Sequence, residues 1–207
     1  INQGRGFLME RGIRVATGRH VFQKELVRLT AEAGPDLSPR ILLLLSDMAC
    51  ELDGINGRVA AIDAEIKALA RIDPDMQRLM EIPGVGPTIA TALVAAVGTA
   101  SSFGKGRDLA AWLGLVPRQV STGGKARLIG ISKHGNRYLR KLFIHGARTV
   151  LHLVRDRTSP ITRWVDSLKE RAHVNVAAVA MANKMARIAW AVLTKGERYR
   201  LDALAGA

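Results

Sequence analysis

Between Leu45 and Leu69 the apolar residues fall at alternating intervals of three and four, as Leu45, Met48, Leu52, Ile55, Val59, Ile62, Ile66 and Leu69. A stripe of that period can be buried only along one side of an α-helix many turns long, and a seam so narrow calls for another helix against it. The helix has a clear start: Ser38 is a good N-cap, and Pro39 suits the first helical position, where a missing N–H costs nothing. Gly54 and Gly57 each weaken it by about 1 kcal/mol without breaking the pattern. Upstream, residues Gly6 to Ala33 read as one helix with Phe22, Leu26 and Leu29 on one stripe, ending near Gly34-Pro35. Two long helices joined by a short turn predict an antiparallel coiled-coil hairpin. The seam can be satisfied inside the chain, or it can also join two chains into a homodimer or higher oligomer.

Asp73-Pro74 marks the next helix start and the expected end of this arm. The sequence therefore divides into a helical arm over 1–73, a compact helical domain over 74–200 and a tail over 201–207. Within the second domain the pattern predicts a hairpin of helices, a Gly-rich loop that carries Ser121, a basic helix from about Asn136 to Arg155 and a last helix from about Val174 to Leu193. The fold class is mainly α, with at most a short ribbon around Lys125 to Ile131. With 207 residues and 48% hydrophobic content, the chain can bury a real core in one or two domains.

Formal net charge is +13, which favours nucleic acid or another anionic surface as partner. The charge is unevenly placed. From Leu109 to Arg155 there is no Asp or Glu, while Arg118, Lys125, Arg127, Lys133, Arg137, Arg140, Lys141, Arg148 and Arg155 are all cationic. Each phosphate such a surface neutralises releases condensed counterions and strengthens binding. Aromatic content of 4% disfavours recognition of single strands by stacking, and Trp112, Trp164 and Trp190 read as core anchors. A lone Cys50 cannot form an internal disulfide, and no Cys/His cluster has zinc-ligand spacing, so no metal site is expected. Apolar runs such as Ile41 to Leu45 are far shorter than the roughly 20 residues of a spanning helix, so no membrane partner is expected and the sequence reads as cytoplasmic. The chain does not begin with Met, which suggests a piece of something longer.

Two segments of the basic domain carry possible chemistry. Pro83-Gly84-Val85-Gly86-Pro87-Thr88, flanked by Leu79, Ile82, Ala90, Leu93 and Val94, fits a helix-hairpin-helix. There two glycines turn the backbone tightly and offer N–H groups at a helix N-terminus to a phosphate without reading bases. A plain helical hairpin whose glycines only make the turn fits the same residues. The second segment, Pro117 to Lys125, sets Ser121 and Thr122 beside Gly123 and Gly124 between cations. A hydroxyl there could attack phosphorus if Arg118, Lys125, Arg127 or Arg148 stabilised the developing charge, or it could merely contact phosphate. His145, Arg148 and His152 could share a helix face, and a histidine there could serve Ser121 as general base, but His134, His145 and His152 read rather as core or surface histidines.

Taken in order, Ile82 to Pro87, Leu109 to Gln119, Ser121 to Lys125, Gly130 to Asn136 and Leu139-Arg140 resemble the C-terminal transposase domain of DEDD-type insertion-sequence transposases, the bridge-RNA-guided recombinases. With the helical arm, the resemblance covers nearly the whole chain. It implies a serine that attacks a DNA phosphodiester and holds a 5′-phosphoserine, a role that falls to Ser121 with Thr122 as the alternative. Arg118 and Lys125 would assist, and Gly84, Val85, Gly86, Thr88, Gly123, Gly124, Arg127, Lys133, Arg137, Arg140, Lys141 and Arg148 would hold nucleic acid. The family's other half, a RuvC-like domain holding divalent metal (Mg) through four acidic residues, has no counterpart here, so this fragment would need no cofactor of its own and would bind DNA and guide RNA without recombining alone. The alternative is a non-catalytic helix-hairpin-helix module for nucleic-acid binding and assembly.

Overall fold

The computed structural model describes residues 1–32, 37–153 and 160–199. It is mainly helical, and it divides into two compact units, Ile1–Ala64 and Glu65–Ala207, each with its own core.

The first unit holds α1 (Asn2–Met9), α2 (Arg19–Ala31) and the larger part of α3 (Pro39–Ile72). The single helix expected from Gly6 to Ala33 is interrupted. Gly12 and Gly18 take φ of 77° and 136°, values that end helical geometry, and the Arg5 guanidinium holds the intervening loop by donating to the Val15 carbonyl at 2.9 Å. Leu8, Phe22, Leu26, Leu29, Leu37 and Leu45 form the core, with Met48 and Leu52 packed against it. Asn56 donates to the Gln23 amide oxygen at 3.1 Å, and Gln23 donates to Asp53, so an early residue of α2 pairs with the middle of α3. The turn at Gly34-Pro35 lies outside the described residues. At 13 residues α2 is about 20 Å long, against about 51 Å for the 34 residues of α3. Its first residue, Arg19, lies one turn beyond Gln23, so its reach ends about one turn past Asn56, and along this outer stretch Ile55, Val59 and Ile62 stay 47%, 43% and 55% exposed.

In the second unit Asp73 caps α4 (Pro74–Met80), its carboxylate accepting from the Asp75 and Met76 amides at 2.8 and 3.0 Å. The division of the chain falls inside α3 because Ala70 already belongs to this second core. After α5 (Pro87–Val97) comes α6 (Gly106–Trp112), whose first turn is closed by Asp108 accepting from the Lys105 amide at 3.2 Å. Then follow β1 (Pro117–Thr122), β2 (Lys125–Ile131), α7 (Arg137–Leu153), α8 (Pro160–Arg171) and α9 (Val174–Lys195). Neither α6 nor α8 was resolved by the sequence pattern, and Arg155 and the tail after Arg200 lie outside the described residues.

Helix α9 is the axis of this unit and packs against α4, α6, α7 and α8. Its buried face is largely alanine, so neighbouring backbones come close; a Cβ on Gly106 would stand 3.0 Å from the Arg187 carbonyl oxygen. By length and composition α9 could cross a bilayer, but in this fold its apolar face is core. The tryptophans serve as partly buried packing residues: Trp190 donates to the Phe103 carbonyl at 2.9 Å, Phe103 meets Trp112 edge to face at 5.7 Å, and Trp164 lies under the Lys184 ammonium at 4.6 Å. Burial, and then the neighbouring Arg187, hold the Lys184 ammonium below the ordinary lysine range.

Candidate nucleic-acid interface and hydroxyl site

Ser121 sits on a strand rather than in a loop. Val120 and Thr122 favour extended backbone, and Gly123 and Gly124, with φ of 58° and 77°, supply the two positive values that a tight two-residue hairpin turn demands. The register is Arg118 opposite Ile129, Gln119 opposite Leu128, Val120 opposite Arg127, Ser121 opposite Ala126 and Thr122 opposite Lys125, with a bulge at Gly130. Both faces of β1 are exposed, and so is most of β2.

Cross-strand partners share a face and successive residues alternate, so the ribbon sorts its chemistry into two sides. Ser121 lies with Gln119, Ala126 and Leu128, and its hydroxyl accepts from the Gln119 amide at 3.2 Å. Thr122 lies with Arg118, Val120, Lys125, Arg127 and Ile129. Three of the four cations expected around Ser121, namely Arg118, Lys125 and Arg127, thus stand on the side of its neighbour, and the fourth, Arg148, is on α7. The foot of the ribbon is fastened by the Ser132 amide donating to the Val116 carbonyl at 2.8 Å and by Asn183 donating to the Leu115 carbonyl at 3.2 Å.

In the helical hairpin of α4 and α5 the two glycines differ. Gly84, at φ 85°, presses on α7: a Cβ there would lie 2.6 Å from the Gly146 carbonyl oxygen and 2.7 Å from a Val150 methyl. A Cβ on Gly146 would come closer still to the Gly84 carbonyl oxygen, so two glycines let a turn and a helix meet backbone to backbone. Gly86 is the N-cap of α5 in ordinary extended geometry, and a Cβ there would meet nothing within 4 Å. Its carbonyl accepts from the Ile89 and Ala90 amides, while among the described residues none accepts from the amides of Gly86 or Thr88. Val85 is buried between the two helices.

Helix α7 carries Arg137, Lys141, His145, Arg148 and His152 at intervals of four, four, three and four, all exposed on one side. Arg148 also donates to the Asn175 side-chain oxygen at 3.2 Å. Arg140 behaves differently: it is partly buried, and its guanidinium donates to the Leu113 and His134 carbonyls at 3.1 and 3.3 Å, which ties it to the fold. Asn136, absent from the sequence-derived site, opens α7 by accepting from the Leu139 amide at 3.0 Å. Gly146 and Gln119 were likewise missed. A lone glycine inside a helical pattern is the signal that could have exposed the first, and the period of two in β1 the second. His134 is exposed, and among the described residues no three His, Cys, Asp or Glu side chains converge as a metal site.

Residues 76–160 match the family model described as the transposase IS116/IS110/IS902 family. The chain is 43% identical over 203 residues to a transposase for insertion sequence element IS1111A of Coxiella burnetii, covering 98% of this chain and 56% of that protein. It is 44% identical over 201 residues to a probable family 20 transposase of Pseudomonas aeruginosa (96% and 59%), and 38% identical over 195 residues to a transposase for insertion sequence element IS1328 of Yersinia enterocolitica (94% and 58%). The chain thus spans a little over half the length of these curated relatives. Over nearly its whole length the chain is thus similar to insertion-sequence transposases, and over residues 76–160 to the IS116/IS110/IS902 family model.

Proposed function

We propose, with kinship to the IS116/IS110/IS902 transposases as premise, that this chain is the C-terminal part of a DNA transposase and that its ribbon supplies the hydroxyl nucleophile of strand exchange. The observation that carries this is the pair of exposed hydroxyls, Ser121 and Thr122, next to a tight Gly-Gly turn inside a stretch without a single carboxylate. DNA is held by the Gly86 end of α5 and by the exposed cations of α7, contacts that grip phosphate without reading sequence. Attack forms a bond from the hydroxyl oxygen to phosphorus and breaks the bond from phosphorus to the 3′ oxygen, leaving a 5′-phosphoserine and a strand end that takes up the proton. Because the phosphodiester energy stays in the covalent link, a different strand end can reverse the step and rejoin DNA without hydrolysis. Guide RNA and the divalent metal implied by the resemblance belong to the longer protein, and this segment alone binds but does not recombine.

A second reading has a specific observation behind it. The side chains able to neutralise a pentavalent phosphorane, Arg118, Lys125 and Arg127, share the face of Thr122. If Thr122 attacks, charge stabilisation comes from the ribbon itself; if Ser121 attacks, Gln119 orients it and the cations come from elsewhere in the assembly. The test is a covalent-adduct assay with the full-length enzyme, its guide RNA and target DNA. Ser121→Ala is expected to abolish the protein–DNA adduct while Thr122→Ala retains it; the reverse outcome assigns the role to Thr122. Adduct and recombination undiminished in both variants would leave only a non-catalytic binding module.

The unpaired stripe of α3 supports self-association as part of the same function. Ile55, Val59 and Ile62 keep heptad spacing and stay exposed, and a second copy presenting the same stripe would bury them.

A further inference from the structure

Among the described residues two that are not glycine take positive φ, Ala100 at 56° and Lys133 at 58°. L side chains rarely adopt this left-handed geometry, because Cβ crowds the following carbonyl. For Ala100 the fold explains it: the residue is completely buried in the core between α5 and α6. Lys133 is exposed, so no packing of its side chain offsets the strain.

The backbone around Lys133 is nevertheless fixed from several directions. Its own amide donates to the Gly114 carbonyl at 3.2 Å, the Ser132 amide to Val116 at 2.8 Å and the Asn136 amide to Trp112 at 3.2 Å. Arg140 clamps the Leu113 and His134 carbonyls on either side of the junction. Gly114 and Gly135, at φ 70° and 86°, bring the two segments so close that a Cβ on either would collide with the opposite backbone. The loop thus holds the backbone of Lys133 in one geometry at the foot of the ribbon, where glycine or asparagine would fit with less strain. Lys133 makes no ion pair among the described residues, and the nearest cationic neighbour along the chain, Arg137, is exposed in the first turn of α7.

We infer that Lys133 is a positioning residue whose pre-set backbone lets its ammonium hold one backbone phosphate of bound nucleic acid at the foot of the ribbon. The inference rests on the nucleic-acid reading above. Ile131 pairs with Pro117 at that foot, and Ser121 lies four residues further along β1, about 13 Å away. The phosphate that Lys133 grips is therefore not the one attacked; holding it fixes how the strand runs along the ribbon. Fixing the backbone in advance lowers the ordering cost that a flexible lysine would meet on binding.

The test measures anisotropy of a labelled random-sequence DNA duplex over a salt series, with thermal unfolding of each protein alongside. Lys133→Gly and Lys133→Asn are expected to unfold at the same or a higher temperature, to bind several-fold more weakly, and to lower the slope of log affinity against log salt by about 0.9. Lys133→Arg should restore the slope. An unchanged slope in the glycine and asparagine variants, with a steep slope in the unaltered protein, overturns the role of Lys133 alone. A lower unfolding temperature for both would make the residue structural and also overturn it. A flat salt response of the unaltered protein would instead remove the nucleic-acid reading and this inference with it.

Discussion

Gly146 sits in the interior of α7, where glycine ordinarily costs a helix about 1 kcal/mol relative to alanine. The cost is recovered by the close approach of the Gly84 turn, and that contact divides the labour of the two hairpin glycines. Gly146→Ala should destabilise the fold by about 1–3 kcal/mol, as overpacking does, read as a lower midpoint in urea. Gly86→Ser should leave the midpoint within about 0.5 kcal/mol, since serine is a good N-cap and open space surrounds it. Its hydroxyl would occupy the amides that a phosphate needs, so duplex DNA should bind more weakly at unchanged stability. Equal loss of affinity and stability in Gly86→Ser would assign that glycine to the fold alone. At this scale the sequence announces whatever is local. The Asp73 cap follows from residue type and spacing, whereas the partner of Gly84 lies on another helix that no local pattern names.

Among the elements, α3 and the ribbon show opposite limits of a sequence reading. The period of α3 was plain over its full length, but how much of the stripe α2 covers depends on where α2 begins, and Gly12 and Gly18 decide that by their backbone geometry. The outer stripe is left for another helix. Val59→Lys together with Ile62→Lys should leave thermal unfolding of the isolated chain nearly unchanged, since both residues are already half exposed, and should shift sedimentation toward the monomer. A monomer before and after the change would remove self-association through α3. The ribbon is the converse case. Ser121 and Thr122 were evident as residues, yet only a strand, with its alternation, says that they look opposite ways. Turn-forming glycines and cations obscured the strand signal in a stretch that reads as a loop.

For the molecule as a whole, two separate cores imply two unfolding events rather than one. The first core is small, with six buried side chains among the described residues, Phe22 one of them, and should melt earlier than the core around α9. Phe22→Ala is expected to lower the first transition by an amount corresponding to about 3–5 kcal/mol while leaving the second in place, and Phe143→Ala should do the reverse. A calorimetric scan in which either change moves a single shared peak would mean that the cores unfold as one. The basic character of the second unit was fully legible, because charge is a property of composition and needs no fold. It also has a practical consequence. From Leu109 to Arg155 the chain holds no anionic side chain of its own to act as an internal decoy for its cations. Cellular polyanions should therefore cling to it through lysis, so that the protein leaves a first column with an ultraviolet absorbance ratio skewed toward 260 nm and comes clean only on heparin or in strong brine.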